Sequence, residues 1–177
     1  PMVDDLLRLI LAHLESDTLF PIVVSGSVGA GKTRACQEAT HRLEGIGYQA
    51  GGVISPRIMD SGKTVGYDIL DLATGKRRSF IRSEPPGKKV GRFFLKPGSL
   101  EFANRSVTSA IGQNNPVFVD EVGRLELNHR GLAPSVNKLL DSDAQGIYLV
   151  RREFLSRFLE VFKITQYDQV EIEEEPG

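Results

Sequence analysis

Residues 26–33 read GSVGAGKT and directly follow the apolar run FPIVVS at residues 20–25. The octapeptide fits G-x-x-x-x-G-K-[ST], the pattern of a loop that joins a buried strand to a helix and holds phosphates. Backbone N–H groups must converge on a phosphate at close range, and glycine allows the loop positive φ angles with no Cβ in the way. The next helix directs unpaired N–H groups and the positive end of its dipole at the same anion. This stretch therefore predicts a phosphate site.

We expect the whole loop to contact the phosphates, namely Gly26, Ser27, Val28, Gly29, Ala30, Gly31, Lys32 and Thr33. In such loops the lysine reaches the β and γ phosphates, and the hydroxyl of the last residue ligates Mg²⁺. These roles fall to Lys32 and Thr33. The alternative is a glycine-rich turn that joins strand to helix without a ligand.

A second acidic motif lies in PVFVDEVGRLEL at residues 116–127. The apolar run ends in Asp120, which predicts a Walker B strand that places this acid at the carboxyl edge of the sheet, where ligands bind in open α/β folds. Asp120 would hold Mg²⁺ through its water shell. Glu121 would polarise a water molecule for attack on the γ-phosphate. The alternative is an exposed pair of acids at the end of a strand.

Phosphoryl transfer also needs a positive group near the transferring oxygens. Arg124 is the first candidate, and its alternative role is a surface salt bridge with Glu126. Arg92 and Arg151 are weaker candidates, for which a structural or solvated role is the stronger interpretation.

Alternating apolar strands and amphipathic helices predict one α/β domain over residues 1–177, with three layers and a mostly parallel central sheet. Residues 1–20 contain an amphipathic helix, and residues 57–98 form an insertion made of an antiparallel hairpin and a loop. Within the insertion, residues 83–98 are expected to be loop, because they are rich in Pro, Gly and Lys. The segment RREFLSRFLEVF predicts one continuous helix, and residues 171–177 form an acidic tail.

Composition narrows the choice of partners. The formal net charge is -1, which removes the field that attracts proteins to nucleic acid, and no apolar stretch approaches the roughly 20 residues of a membrane span. With no leader pattern and a single cysteine, the expected compartment is the cytoplasm. Cys36 is predicted to be a buried structural thiol, and the scattered His13, His41 and His129 to be surface residues. The oligomeric state is left open.

The ordered set GSVGAGKT, GGVISPRI, VGYDILDLATGKRRSF, VGRFF and VDEVGRLEL resembles the thermostable nucleoside-triphosphatase family of archaea and bacteria, over residues 21–140. The resemblance implies a RecA-like P-loop fold and Mg²⁺-dependent hydrolysis of ATP, GTP and other nucleoside triphosphates. It assigns phosphate binding to residues 26–33, metal support to Asp120 and water activation to Glu121. Glu126 matches an acid of the family pattern. Its expected role is either to orient Arg124 or to be an exposed acid at the end of a strand.

The chain departs from the family pattern near its end. An Asn-Arg-Asp-like triplet, which relatives place near the base, is replaced here by GIYLVRREFLSRFLEV. Phe93 or Phe94 could stack on a base, but an aromatic pair in such a loop more often anchors the loop to the core.

Two other functions remain open. A kinase would pass the γ-phosphate to a nucleoside, nucleotide or other acceptor with nearly the same phosphate site, and would exclude water. A nucleotide-gated interaction protein would show low intrinsic turnover and a partner that responds to the triphosphate. Release of inorganic phosphate without an added acceptor separates hydrolysis from the kinase reaction.

Overall fold

The computed structural model describes residues 2–173. The helices of this part are α1 Met2–Ser16, α2 Lys32–Gly45, α3 Ser99–Ala110, α4 Arg124–Leu127, α5 Ala133–Leu140 and α6 Leu155–Val161. The strands are β1 Ile22–Gly26, β2 Gly51–Ile54, β3 Arg57–Asp60, β4 Lys63–Asp71, β5 Arg77–Arg82, β6 Lys88–Val90, β7 Phe93–Leu95, β8 Val117–Val122, β9 Gly146–Arg151 and β10 Asp168–Glu171. The predicted acidic tail begins inside β10, and its last residues, 174–177, lie outside the described part.

Within residues 2–173 the strands form one sheet in the order β10-β1-β9-β8-β2-β4-β5-β7-β6, with β3 paired to β4. Strands β10, β1, β9, β8 and β2 are parallel to one another, and the strands from β4 to β7 continue the sheet in antiparallel pairs. The sheet is therefore mixed: its antiparallel addition comprises β3 to β7, more than the predicted hairpin, while the predicted parallel arrangement of the central strands is confirmed. The carboxyl ends of β1, β8 and β9 consequently meet at one edge.

Alternating side chains on the parallel strands bury both faces of the sheet. Val24 and Phe118 face α1 and α2, whereas Val23, Val119 and Tyr148 face α3, α5 and α6. Strands covered on both faces are typical of parallel sheets, and the result is the predicted arrangement of three layers. Cys36 is fully buried in the layer formed by α1 and α2, as predicted, and burial raises the pKa of its thiol.

The region predicted to be loop contains two further strands, β6 and β7, which pair with each other while β7 extends the edge of β5. Each is only 3 residues long, too short to show a period of two in the sequence. The prediction of one continuous helix after β9 is also wrong. It is broken into a 3₁₀ turn at Arg152–Phe154 and the short helix α6.

His13, predicted to lie at the surface, is buried and ties α1 to the sheet. Its Nδ1 lies 2.9 Å from Oε1 of Gln145, and its Nε2 lies 2.6 Å from Oδ2 of Asp168 on β10. The amide nitrogen of Gln145 donates to the carbonyls of Phe20 and Gly146, which leaves its oxygen free to accept from the imidazole. The amphipathic pattern of α1 could not reveal these partners, because both are more than 130 residues away in the chain.

Two arginines of β5, the strand that follows the hairpin turn, are paired with an acid on the neighbouring strand β4. Asp68 on β4 accepts hydrogen bonds from Arg77 at 2.6 Å and from Arg82 at 2.5 Å. Partial burial alone would raise the pKa of Asp68, but the two guanidinium groups outweigh it and hold the pKa below its ordinary value of 3.8. No helix between residues 2 and 173 has the length and hydropathy needed to cross a membrane.

Candidate nucleotide site

The loop predicted to bind phosphate, residues 26–33, is called the phosphate-binding loop and lies between the end of β1 and the start of α2. Gly29 and Gly31 have φ angles of 81° and 96°, in the left-handed region that favours glycine. A Cβ on Gly26 would meet the backbone oxygen of Ile172 at 2.6 Å, so a larger residue would push the loop away from β10. Gly31 occupies the N-cap of α2 without a side chain to accept from the first N–H groups. The loop therefore has the backbone of an anion site.

Lys32 is buried beneath this loop, with a side chain 6% exposed. Its Nζ donates to the carbonyl of Gly26 at 3.2 Å and to that of Ser27 at 3.1 Å. The same Nζ lies 4.0 Å from Oε2 of Glu121. The ammonium group is therefore located between the loop and the acidic end of β8.

Thr33 and Asp120, the two predicted metal ligands, are in direct contact. The hydroxyl of Thr33 donates to Oδ2 of Asp120 at 2.6 Å, although the residues are 87 positions apart in the chain. The backbone N–H of Ser55 donates to the same oxygen at 2.8 Å, and the Ser55 hydroxyl donates to the backbone carbonyl of Asp120 at 2.9 Å. Ser55 directly follows β2, the strand beside β8. Its position after an apolar run is the only feature of the sequence that points to a place in the site.

The oxygen ligands that Thr33 and Asp120 offer at this point suit Mg²⁺. Asp120 is buried, and burial together with the charge of Glu121 raises its pKa to about 7, although hydrogen bonds from Thr33 and Ser55 favour the charged form. Mg²⁺ is a hard cation that takes one or two carboxylates and fills its remaining positions with water and substrate phosphates. Residues 2–173 contain no group of three or more His, Cys, Asp or Glu residues able to hold a metal by themselves. One carboxylate beside one hydroxyl matches a cation that is bound jointly with a phosphate ligand.

Glu121 is half-buried and lies between two cations. Its Oε1 accepts from Nε of Arg151 at 3.2 Å, while Oε2 faces Lys32. Arg151 ends β9, which lies between β1 and β8, and this position brings it to the acid. In the sequence Arg151 was only a weak candidate, because a cation at the end of one strand does not reveal which strand lies next to it.

The structure changes the interpretation of Glu126. It was expected to orient Arg124, to form a salt bridge with it or to be an exposed acid, and these interpretations are wrong. Its carboxylate is buried and accepts from the backbone N–H groups of Gly123 at 2.8 Å and Leu132 at 2.9 Å. The reason is that α4 begins directly after β8 and turns Glu126 inward at its N-terminus. Burial raises the pKa of Glu126, only partly offset by these N–H groups.

Arg124 is exposed at the rim of the site, with its guanidinium 5.7 Å from the ring centre of Phe154. The guanidinium of Arg151 lies 5.8 Å from the same ring. Cations at this range are attracted to the face of an aromatic ring. Phe154 thus contacts both arginines, of which Arg151 also binds Glu121.

One cleft of about 1110 Å³ joins these groups. Its inner end is lined by the phosphate-binding loop, Asp120, Glu121, Arg124 and Arg151. Its outer end is lined by side chains of the inserted strands, among them Tyr67 and Phe93. These two rings meet edge to face with centroids 6.2 Å apart, so Phe93 does pack on its own neighbours and also borders the cleft.

The chain is similar in sequence to a known protein family and to named relatives. The sequence matches the model of a protein family described as NTPase over residues 21–175. It is 34% identical over 129 residues to the nucleoside-triphosphatase THEP1 of Methanopyrus kandleri, a match that covers 73% of this chain and 72% of the relative. It is 30% identical over 135 residues to the THEP1 of Methanothermobacter thermautotrophicus, covering 76% of this chain and 78% of that protein.

Two solved structures share the fold. The crystal structure of THEP1 from Aquifex aeolicus superposes with a TM-score of 0.68 at 18% identity, covering 87% of this chain and 90% of the other. The solution structure of a human cancer-related nucleoside triphosphatase also gives 0.68, at 20% identity and over 88% and 90% of the two chains. The predicted P-loop α/β fold is thereby confirmed.

Proposed function

This chain belongs to the NTPase family, whose model spans residues 21–175, and from that premise we propose that it hydrolyses nucleoside 5′-triphosphates, ATP and GTP among them, to diphosphate and phosphate with Mg²⁺. Nucleoside-triphosphatase is also the activity in the names of its relatives. The observation that supports the proposal most is the convergence of Lys32, Thr33, Asp120 and Glu121 at one edge of the sheet.

The phosphate-binding loop would hold the triphosphate with its backbone N–H groups and the N-terminus of α2. Lys32 would exchange its contacts with the two loop carbonyls for the β and γ phosphate oxygens. Such an exchange replaces neutral acceptors by anionic ones, so the ammonium group gains ion pairs with the phosphate oxygens. The ammonium group would remain near Glu121 throughout.

Thr33 and Asp120 would hold Mg²⁺, the hydroxyl directly and the carboxylate through water. When bound, the cation neutralises charge on the β and γ phosphates. Ser55 would keep the Asp120 carboxylate in place through the N–H group that already donates to it. We therefore assign Ser55 a positioning role.

Glu121 would accept a proton from the attacking water and orient that water toward the γ phosphorus. Arg151, bound to one carboxylate oxygen, would fix the orientation of the acid. Arg124, at the rim of the cleft, would offset charge on the transferring oxygens. Arg151 would therefore act on the base, and Arg124 would act on the phosphoryl group.

We place this activity in the cytoplasm, on free nucleotides, with neither nucleic acid nor membrane as a partner. The near-neutral charge supports the absence of these two partners, because phosphate backbones and acidic membranes both attract strongly basic surfaces.

The test is release of inorganic phosphate from ATP, GTP, CTP and UTP by the full chain, with and without Mg²⁺ and with no added acceptor. Slow turnover that needs Mg²⁺ is expected. Absence of release from every triphosphate, with binding intact, would contradict hydrolysis.

A further inference from the structure

The outer end of the cleft is unused by the hydrolysis proposed above. We call it the outer pocket and define it by the cleft-lining side chains of Met59, Tyr67, Phe80, Val90, Phe93 and Leu95. All six belong to strands β3 to β7, the antiparallel extension of the sheet. Apart from Met59, which is 50% exposed, these side chains are half-buried, and the pocket they line is apolar and aromatic.

The charges in this pocket are positive. Arg57 and Arg92 line the same end of the cleft, and the guanidinium of Arg92 lies 4.5 Å from the ring centre of Phe93. The carboxylates that line the cleft within the described residues are those of Asp120, Glu121 and Glu126, all at the inner end. Aromatic faces beside guanidinium groups suit a ligand that is planar and anionic.

The order of the strands places the outer pocket on one particular side of the acids. β8, which carries Asp120 and Glu121, lies between β1 with its phosphate-binding loop and the strands of the outer pocket. In phosphoryl transfer the metal-holding acid faces the β and γ phosphates, so the γ end of a triphosphate would point toward β8. A ligand in the outer pocket would then face the γ-phosphate from the side on which a phosphoryl acceptor attacks.

The cleft extends beyond the phosphate-binding loop. Pockets for one drug-sized ligand span about 300 to 1,000 Å³. The cleft of about 1110 Å³ is at the upper end of that range, and the phosphate-binding loop lines only one part of it. A triphosphate on the loop would leave the outer pocket accessible.

We propose that the outer pocket binds a nucleoside 5′-monophosphate as a phosphoryl acceptor. The inference rests on the proposed triphosphate site, because the donor must occupy the loop. An oxygen of the monophosphate would form a bond to the γ phosphorus while the bond from that phosphorus to the β,γ-bridging oxygen breaks. The products are two nucleoside diphosphates, and the attacking phosphate dianion needs no base to remove a proton.

The experiment supplies the full chain with ATP labelled at the γ-phosphate, Mg²⁺, and AMP, GMP, CMP or UMP in turn, and separates labelled diphosphate from labelled inorganic phosphate. We expect labelled diphosphate with at least one base. In Arg57→Gln and Tyr67→Leu, the monophosphate concentration for half-maximal transfer should rise about tenfold, while phosphate release without monophosphate stays at the parental rate. Arg57 is exposed, so its variant keeps the fold even if Tyr67→Leu does not.

The matched control is Arg105→Gln, which removes an exposed arginine of α3 that does not line the cleft, and it should transfer like the parent. Label found only in inorganic phosphate with all four monophosphates would overturn the inference and leave hydrolysis standing. Equal effects of Arg57→Gln and Arg105→Gln would also overturn it. Failure of the chain to bind ATP at all would instead contradict the proposed function.

Discussion

Nε of Arg151 lies 3.2 Å from Oε1 of Glu121, across the neighbouring strands β9 and β8. Glu121 also faces Lys32, whose Nζ is 4.0 Å from its other carboxylate oxygen. The acid proposed as the catalytic base is thus oriented by one cation from the sheet and a second from the phosphate-binding loop. A carboxylate with one oxygen bound to an arginine keeps the orientation that proton transfer from water needs.

Replacing Arg151 by Met should lower kcat about tenfold while the Kd for ATP changes less than about threefold, because the arginine orients the base and does not hold the phosphates. Steady-state phosphate release and calorimetry measure the two quantities. The pair is partly exposed, with side chains 36% and 29% accessible, so its loss should cost only about 0 to 1 kcal/mol of stability. Arg152→Met is the control, since Arg152 pairs with Glu171 on β10. Parental turnover in Arg151→Met would disprove this role.

Replacing Lys32 by Ala should weaken triphosphate binding by roughly a hundredfold or more, which corresponds to about 2.7 kcal/mol. The ammonium group is the buried cation of the loop, and solvent cannot replace it at the γ-phosphate. Calorimetric titration with a non-hydrolysable ATP analogue and Mg²⁺ measures the loss. Lys63→Ala, an exposed lysine on β4, serves as the control and should bind like the parent. Retained affinity in Lys32→Ala would show that the triphosphate binds elsewhere.

Replacing Asp68 by Asn should reduce stability at pH 7, by about 1 kcal/mol or roughly 2 to 4 °C in Tm. The pKa of Asp68 is lower in the folded chain than its ordinary value of 3.8, so its contribution is present above that pH and is lost as the pH falls through the folded value. Thermal melts of parent and variant at pH 7 and near pH 3 test the sign. The difference in Tm should shrink at the lower pH, and an unchanged difference would refute the role of Arg77 and Arg82.

The features that the sequence could predict are those coded within a few neighbouring residues. The phosphate-binding loop needs glycines at fixed spacing, and β8 needs an apolar run that ends in an acid, so both were recognisable before the structure. The contact between Glu121 and Arg151 depends on β9 lying beside β8, a relation between residues 30 positions apart. The bond between Ser55 and Asp120 likewise required knowledge of the strand order.

Other features were hidden for different physical reasons. Glu126 matches an acid of the family pattern, but its role depends on backbone N–H groups that residue types do not reveal. Strands β6 and β7 are stabilised by pairing with an existing edge, which allows them to be shorter than any detectable pattern. The outer pocket is formed by strands β3 to β7 together, so the sequence indicated aromatic residues without showing that they border the phosphate site.

The central claim is that Glu121 activates water for hydrolysis of a triphosphate bound beside it. The most direct measurement is inorganic phosphate release by Glu121→Gln and by the parent, with ATP and Mg²⁺ and no acceptor, alongside ATP binding by calorimetry. Glu101→Gln, on the exposed face of α3, is the control. Glu121→Gln should bind ATP nearly as the parent does and release phosphate at least about a hundredfold more slowly, the loss expected when a general base is removed. Release at the parental rate by Glu121→Gln would contradict the account.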